Sequence, residues 1–180
     1  MKKFGITNEG KSLETLVLRL CLHARKNLGK SKNDDIEIEK DGMKFFIEVK
    51  NNSWNQVRAI KYLPVVGCVN NQFYVMPPDQ VLLAVSKKKT GQHTHDAFIC
   101  SGFGIPDKSN PFWKQFLLED NELLEEKIIN AFIQGEKNYE YKQFCINKKL
   151  KDEIRQKEDW NDFNNHCKKT KEENDDKYIV

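Results

Sequence analysis

The chain lacks a long apolar run, a paired-cysteine motif and a strong excess of either charge. No segment approaches the roughly 20 apolar residues that span a bilayer, and the two lysines at the start precede no apolar leader segment. We therefore expect a cytoplasmic protein with no membrane partner. The five cysteines are widely scattered and form no CxxC pair. This scatter argues against a zinc ribbon or a disulfide framework and predicts mostly buried thiols.

The length and the charge of the chain limit the classes of protein to which it can belong. A chain of 180 residues fits one domain, and 38% hydrophobic with 32% charged residues is typical of a globular protein with a polar surface. We expect an α/β core at residues 1–135 and a charged, largely helical extension of the same domain at 136–180. The formal net charge is only +3, so composition alone does not establish a polyanionic partner.

Hydrophobic periodicity predicts an α/β (α+β) fold, a mixed sheet flanked by helices. One helix is predicted to begin at an N-cap at Ser12, to carry an apolar stripe as far as Ala24 and to end near Gly29. A helix is predicted with Asp79 as its N-cap and Gly91 just past its end. The other predicted elements are a short helix over 53–64, one or two helices over 110–134, and strands over 35–39, 43–50, 71–77 and 96–102.

The stretch DDIEIEKDGMKFFIEVKN, residues 34–51, changes the period from 3.6 to 2. Asp-Gly at 41 and 42 is a strong two-residue hairpin turn, so the numbers of opposite residues should sum to 83. This register places Asp35 across from Glu48, and alternation puts Glu37 and Lys50 on the same face. Facing carboxylates destabilise a ladder, whereas a divalent cation between them removes that cost. A lysine beside the metal can orient or deprotonate an attacking water.

These residues resemble the signature of the PD-(D/E)XK, or restriction-endonuclease-like, nuclease superfamily, in which an acidic residue enters one strand and Glu-x-Lys follows on the next. Asp35 matches the first carboxylate, and Glu48 and Lys50 match Glu-x-Lys. The resemblance implies a restriction-endonuclease-like sheet, Mg²⁺ held by Asp35 and Glu48, and catalysis assisted by Lys50. In many members a glutamate on the first helix also points to the metal, and Glu14 is the matching position. No proline precedes the aspartate, so the choice of Asp35 over Asp34 rests on the register.

Polar and basic residues beyond the hairpin are candidates for DNA contact. One group follows the Glu-x-Lys strand, where similar nucleases contact the phosphate backbone, although a solvated helix face explains it equally well. A second group lies in KKKTGQHTH, residues 87–95, for which an ordinary polar loop is the alternative. Two histidines in this loop and a nearby cysteine lack the spacing of a zinc unit. The candidates are Gln56, Arg58, Lys61, Lys87, Lys88, Lys89, Gln92, His93 and Thr94.

The sequence therefore favours a Mg²⁺-dependent endonuclease of double-stranded DNA, specifically a type II restriction enzyme without a small-molecule cofactor. A single-domain enzyme that cuts both strands is expected to act as a homodimer. The same site in a DNA-repair or junction-resolving nuclease is the alternative within enzymes. A DNA-binding protein without catalysis, and an interaction module that uses residues 111–160, are the alternatives from other classes.

Overall fold

Five strands form one mixed sheet in the order β1-β2-β3-β4-β5. The computed structural model describes residues 13–27 and 35–152. The strands are β1 (Ala24–Lys26), β2 (Ile36–Lys40), β3 (Met43–Asn51), β4 (Val65–Val69) and β5 (Gln72–Met76). Neighbouring strands are antiparallel except β3 and β4, which are parallel and joined by a crossover loop, residues 52–64. The predicted mixed sheet is confirmed.

Helices pack on both faces of this sheet. They are α1 (Leu13–Leu20), α2 (Pro78–Ser86), α3 (Pro111–Lys114) and α4 (Leu124–Lys137), and residues 139–152 are also helical. The crossover loop contains a short 3-10 helix, Ala59–Lys61. Within 13–27 and 35–152, no helix has the length and apolar content needed to cross a membrane.

The central hairpin has the predicted register. Ile36 lies opposite Ile47, Ile38 opposite Phe45 and Lys40 opposite Met43, so each pair sums to 83. The two turn residues Asp41 and Gly42 have φ values of 51° and 77°, the left-handed conformation that a type I′ turn needs at both positions. Turn chemistry and the alternation of apolar residues therefore specify the same register.

Two apolar clusters lie on opposite faces of the sheet. On the first face, α1 and α4 bury the isoleucines of the hairpin, and Phe45 stacks on Phe132 of α4 with ring centroids 4.0 Å apart. On the second face, Trp54 and Trp113 belong to a cluster that covers β4 and β5. The second face of β1, β2 and β3 lies outside this cluster, and it carries the ion-paired side chains of Arg25, Glu37 and Lys44.

The structure differs from the prediction for three elements, one at the first helix and two that involve the crossover loop or the segment paired with it. Helix α1 ends at Leu20, and Ala24 lies in the unpredicted strand β1, where it pairs with Ile38. The helix predicted over 53–64 is wrong, and so is the strand predicted over 96–102. Val57 and Ser101 instead form an isolated β-bridge with two backbone hydrogen bonds of 2.8 Å. Backbone groups that a helix would use internally are paired with a distant segment.

Two further differences concern β4 and α2. Strand β4 has the sequence VVGCV, a continuous apolar run without alternation, and was not predicted. Asp79 is not an N-cap, because Pro77 occupies that position and Asp79 is a buried residue of the first helical turn. Helix α2 ends at Ser86, well before Gly91. The predicted helices over 110–134 are confirmed as α3 and α4.

Candidate active site beside the central hairpin

Glu48 and Lys50 form a close ion pair on the second face of β3. Alternation along the strand places both side chains on this face, and Lys50 Nζ lies 2.8 Å from Glu48 Oε1. Lys50 also donates to the backbone carbonyl of Gln56 at 3.1 Å, and the Arg58 N–H donates to Glu48 Oε2 at 3.4 Å. The crossover loop therefore folds back over the pair. Only 4% of Glu48 remains exposed, so its charge is held in a largely dehydrated environment.

Asp35 approaches β3 through its side chain. The β2–β3 ladder stops at Ile36 and Ile47, one residue short of the predicted pairing of Asp35 with Glu48. The carboxylate of Asp35 instead accepts a hydrogen bond of 2.6 Å from the N–H of Val49, the residue between Glu48 and Lys50. The Asp35 side chain thus accepts a hydrogen bond from β3 where the backbone ladder between β2 and β3 has ended. Asp34 lies outside the described residues, so its role as the alternative ligand stays a prediction.

Glu14 lies on the helix that covers the opposite face of the sheet. Its neighbours Leu13 and Val17 are buried in the first apolar cluster. Within the described ranges, Glu14 makes no hydrogen bond or ion pair with Asp35, Glu48 or Lys50. The role that the family resemblance implies for Glu14 stays a prediction.

The crossover loop has an unusual backbone. Asn52, Gln56 and Tyr62 have φ values of 34°, 56° and 53°, in the left-handed region that side chains disfavour by roughly 1–2 kcal/mol per residue. The N–H of Gln56 donates to Gln92 Oε1 at 2.9 Å, which helps to hold this conformation. Because strained non-glycine residues cluster at functional sites, the loop supports the choice of this region as a candidate site.

The predicted basic loop lies beside the crossover loop. Gln92 links the two through its bond to Gln56, so this side chain has a structural contact. Lys88 also has one, since its Nζ donates to the carbonyl of Gly102 and lies 4.9 Å from the ring centroid of Phe103. Lys87, Lys89 and His93 are exposed.

The remaining predicted DNA-contact residues have different environments. Thr94 donates through Oγ1 to the carbonyl of Asp96 at 2.7 Å, a bond that closes the tip of the basic loop. Arg58 precedes the 3-10 helix and Lys61 lies within it, and both side chains are half-buried. The two predicted groups of DNA-contact residues therefore lie on adjoining loops, and the first of these loops contacts Lys50 through the carbonyl of Gln56.

A second buried carboxylate on the same face was not singled out from the sequence. Glu37 is 8% exposed and forms ion pairs with Arg25 and with Lys44, the latter at 3.3 Å. Burial raises the pKa of Glu37, but hydrogen bonds from Arg25 and Lys44 outweigh it and bring the pKa below its ordinary value. Alternation along the hairpin places Glu37 and Lys44 on one face, and this pattern could have indicated their ion pair. Arg25 could not be found in the same way, because the sequence assigned it to the first helix.

The donor atoms at the candidate site suit a hard cation. Asp35 and Glu48 supply two carboxylates, and Mg²⁺ is commonly held by one or two carboxylates with waters and substrate phosphate oxygens completing its shell. No group of three or more His, Cys, Asp or Glu side chains within 13–27 and 35–152 has the arrangement of a metal site. A metal here would therefore depend on water and substrate for most of its ligands.

Comparisons of the chain with protein-family models, with curated proteins and with solved structures give no match. Function must then be inferred from the arrangement of side chains. A fold hosts many activities, so the chemistry of Glu48, Lys50 and Asp35 carries more weight than the sheet on which they lie.

Proposed function

We propose that this protein is a Mg²⁺-dependent endonuclease that hydrolyses phosphodiester bonds of double-stranded DNA, in the manner of a type II restriction enzyme. The observation that carries the proposal is the ion pair between buried Glu48 and half-buried Lys50, on the strand that the Asp35 carboxylate reaches through the N–H of Val49. The order of helix, hairpin and further strand is similar to that of restriction-endonuclease-like nucleases. The 3-10 helix in the crossover departs from the α-helix expected there.

Each residue has a distinct part in this chemistry. Bound Mg²⁺ would polarise the scissile phosphate and lower the pKa of a bound water. Asp35 and Glu48 would hold the ion, and the bond from the Val49 N–H fixes the orientation of the Asp35 carboxylate. Lys50 is a donor beside Glu48, and its bond to the carbonyl of Gln56 positions it to orient water or to stabilise negative charge on the phosphate.

The adjoining loops would supply the DNA-binding surface. Exposed Lys87 and Lys89 are suited to phosphate contacts, which position a protein on the duplex without reading its sequence. Lys88 and Gln92 support the same loop through their structural contacts. A homodimer would present one such site to each DNA strand.

The test is cleavage of plasmid and bacteriophage DNA with Mg²⁺ and with EDTA. The informative variants are Glu48→Gln and Lys50→Ala, and their matched controls are Glu37→Gln and Lys44→Ala, which break an ion pair on the same face of the same hairpin. We expect discrete fragments that require Mg²⁺. We also expect losses of about 100-fold or more in the first two variants, because Glu48→Gln removes a charged metal ligand and Lys50→Ala removes a charge-stabilising donor, and near-normal rates in the controls.

The pattern of cleavage and binding separates the alternatives. Cleavage of branched junctions in preference to a short duplex sequence would favour a repair or junction-resolving nuclease. DNA that is bound in a salt-dependent way but never cut would favour a binding protein, since phosphate contacts weaken steeply as salt rises. Equal activity of Glu48→Gln and Glu37→Gln would contradict the assignment of the active site.

A further inference from the structure

The crossover loop pairs with residues 101–104 on both sides of Gln56. Trp54 and Val57 each make two backbone hydrogen bonds to that segment, with lengths between 2.7 and 2.8 Å. Between these two anchored positions the loop has two residues, the second of which is Gln56, where the facing segment has only Gly102. This is the arrangement of a β-bulge, in which the extra residue lies outside the ladder and its backbone groups need other partners.

Gln92 of the basic loop provides one of those partners. Its own backbone N–H donates to the carbonyl of Cys100 at 2.8 Å, which holds Gln92 next to the segment that faces the crossover loop. Its side-chain Oε1 accepts a hydrogen bond of 2.9 Å from the N–H of Gln56. A Cβ added to Gly102 would be only 3.0 Å from this Oε1, so the glycine leaves the space that the Gln92 side chain needs.

The backbone carbonyl of Gln56 contacts the candidate active site. It accepts a hydrogen bond of 3.1 Å from Lys50 Nζ, and the same ammonium group lies 2.8 Å from Glu48 Oε1. Gln56 has a φ of 56°, a left-handed conformation that a residue with a side chain disfavours. Its two hydrogen bonds offset this cost, because a relaxed, negative φ would reorient the N–H and the carbonyl relative to each other. A continuous chain of contacts therefore joins Gln92 to Glu48.

We propose that Gln92 is a positioning residue for Lys50, which it holds beside Glu48 through the backbone of Gln56. The inference rests on the proposed function, because it takes the role of Lys50 from there. Without the Oε1 acceptor, Gln56 loses a bond that supports its left-handed conformation, and its carbonyl turns away from Lys50 in part of the molecules. The ammonium group then less often occupies the place from which it can orient water or stabilise charge. Gln92 thus serves catalysis from within the fold, rather than through the DNA contact expected from the sequence.

The first experiment follows Lys50 directly and needs no DNA. The full chain carries isotope-labelled lysine, and the Cε NMR signal of Lys50 is identified by its loss in Lys50→Ala. We expect Gln92→Met, which keeps the length of the side chain but removes the acceptor, to shift this signal more than Gln92→Glu, which keeps an acceptor. Gln115→Met is the matched control, because it also removes a 2.9 Å bond between a glutamine side chain and the backbone, and it should leave the signal unchanged. An unchanged signal in Gln92→Met, or an equal shift in Gln92→Glu, would overturn the inference whether or not the protein cuts DNA.

The second experiment separates a positioning role from a DNA contact. Single-turnover cleavage at saturating DNA in Mg²⁺ gives the rate of the chemical step, and the dissociation constant for DNA is measured in EDTA. We expect Gln92→Met to lower the rate about five- to tenfold, the change in population that the loss of one hydrogen bond produces, with an unchanged dissociation constant. Gln115→Met should change neither value. A raised dissociation constant with an unchanged rate would make Gln92 a DNA contact and contradict the inference. If the parent chain cuts no DNA, the proposed function fails, and the Lys50 signal alone decides whether Gln92 positions this side chain.

Discussion

Replacement of Gly67 by alanine should destabilise the protein through a clash with Trp54. Gly67 lies opposite Lys50 in the parallel β3–β4 ladder. A Cβ added there would be 2.8 Å from Cε2 of Trp54 and 2.9 Å from the backbone oxygen of Lys50, and closer still to the indole Nε1. Because Trp54 is 0% exposed and sits inside the second apolar cluster, the ring has no space into which it can turn.

The expected loss is about 3 kcal/mol, the upper end of the range for overpacked cores. Both distances from the added Cβ are well below the roughly 3.5–4.0 Å at which nonbonded carbon atoms attract each other. One of the two atoms that the Cβ would meet, the oxygen of Lys50, belongs to the backbone. Without a clash, a change from glycine to alanine in a strand would instead stabilise the protein by roughly 0.5–1 kcal/mol. Urea unfolding followed by circular dichroism should therefore show a lower midpoint with an unchanged m-value.

The double variant with Trp54→Phe is the control. Phenylalanine lacks Nε1, a buried donor with no hydrogen-bond partner in the part of the chain that the structure describes, and it frees space beside Gly67. The loss in the double variant should be smaller than the sum of the single losses by at least about 1 kcal/mol. Additivity within about 0.5 kcal/mol, or a Gly67→Ala variant as stable as the parent, would refute the reasoning.

Three other predictions concern charge, thiols and the basic loop. Burial raises the pKa of Glu125, but hydrogen bonds from the backbone and ring of His23 outweigh it, so the pKa lies below the ordinary 4.5. Glu125→Gln should therefore cost about 2 kcal/mol above pH 4.5, and the difference should vanish as the pH falls further; a pH-independent difference in unfolding free energy would contradict this. Burial raises the pKa of three buried thiols to between about 11 and about 12, so among the described cysteines only Cys100 should react with iodoacetamide in the native state, as mass spectrometry can check. Lys88→Ala should lower stability by about 1 kcal/mol, whereas Lys87→Ala should leave the melting temperature unchanged and weaken DNA binding, if the proposed function is correct.

The hairpin could be predicted in detail because its information is local. Asp41 and Gly42 specify the turn, and alternation of apolar residues then fixes the five pairs of the register. The same alternation predicted that Glu48 and Lys50 share a face, which their 2.8 Å contact confirms. These features need no knowledge of the rest of the chain.

The errors occur where the chain pairs with distant segments. Trp54 and Val57 exchange backbone hydrogen bonds with residues 101–104, so the apparent helical pattern after Ser53 does not decide the structure. The three residues of β1 are too few for a periodic signal. The link between Gln56 and Gln92 spans 36 positions, and no local pattern marks it. Adjacency of the two predicted loops could therefore be learned only from the fold.

The two edges of the sheet differ in what a second molecule could add to them. At β5, the N–H of Val75 donates to Phe116 and the N–H of Leu118 donates to Phe73, so the segment after α3 already occupies the hydrogen-bonding groups of that edge. At the other edge, β1 has only three residues, and exposed Arg25 and Lys26 lie on it. Short, charged edges resist pairing with another strand. Among the described residues, growth of the sheet from one molecule to the next is therefore blocked at β5 and discouraged at β1.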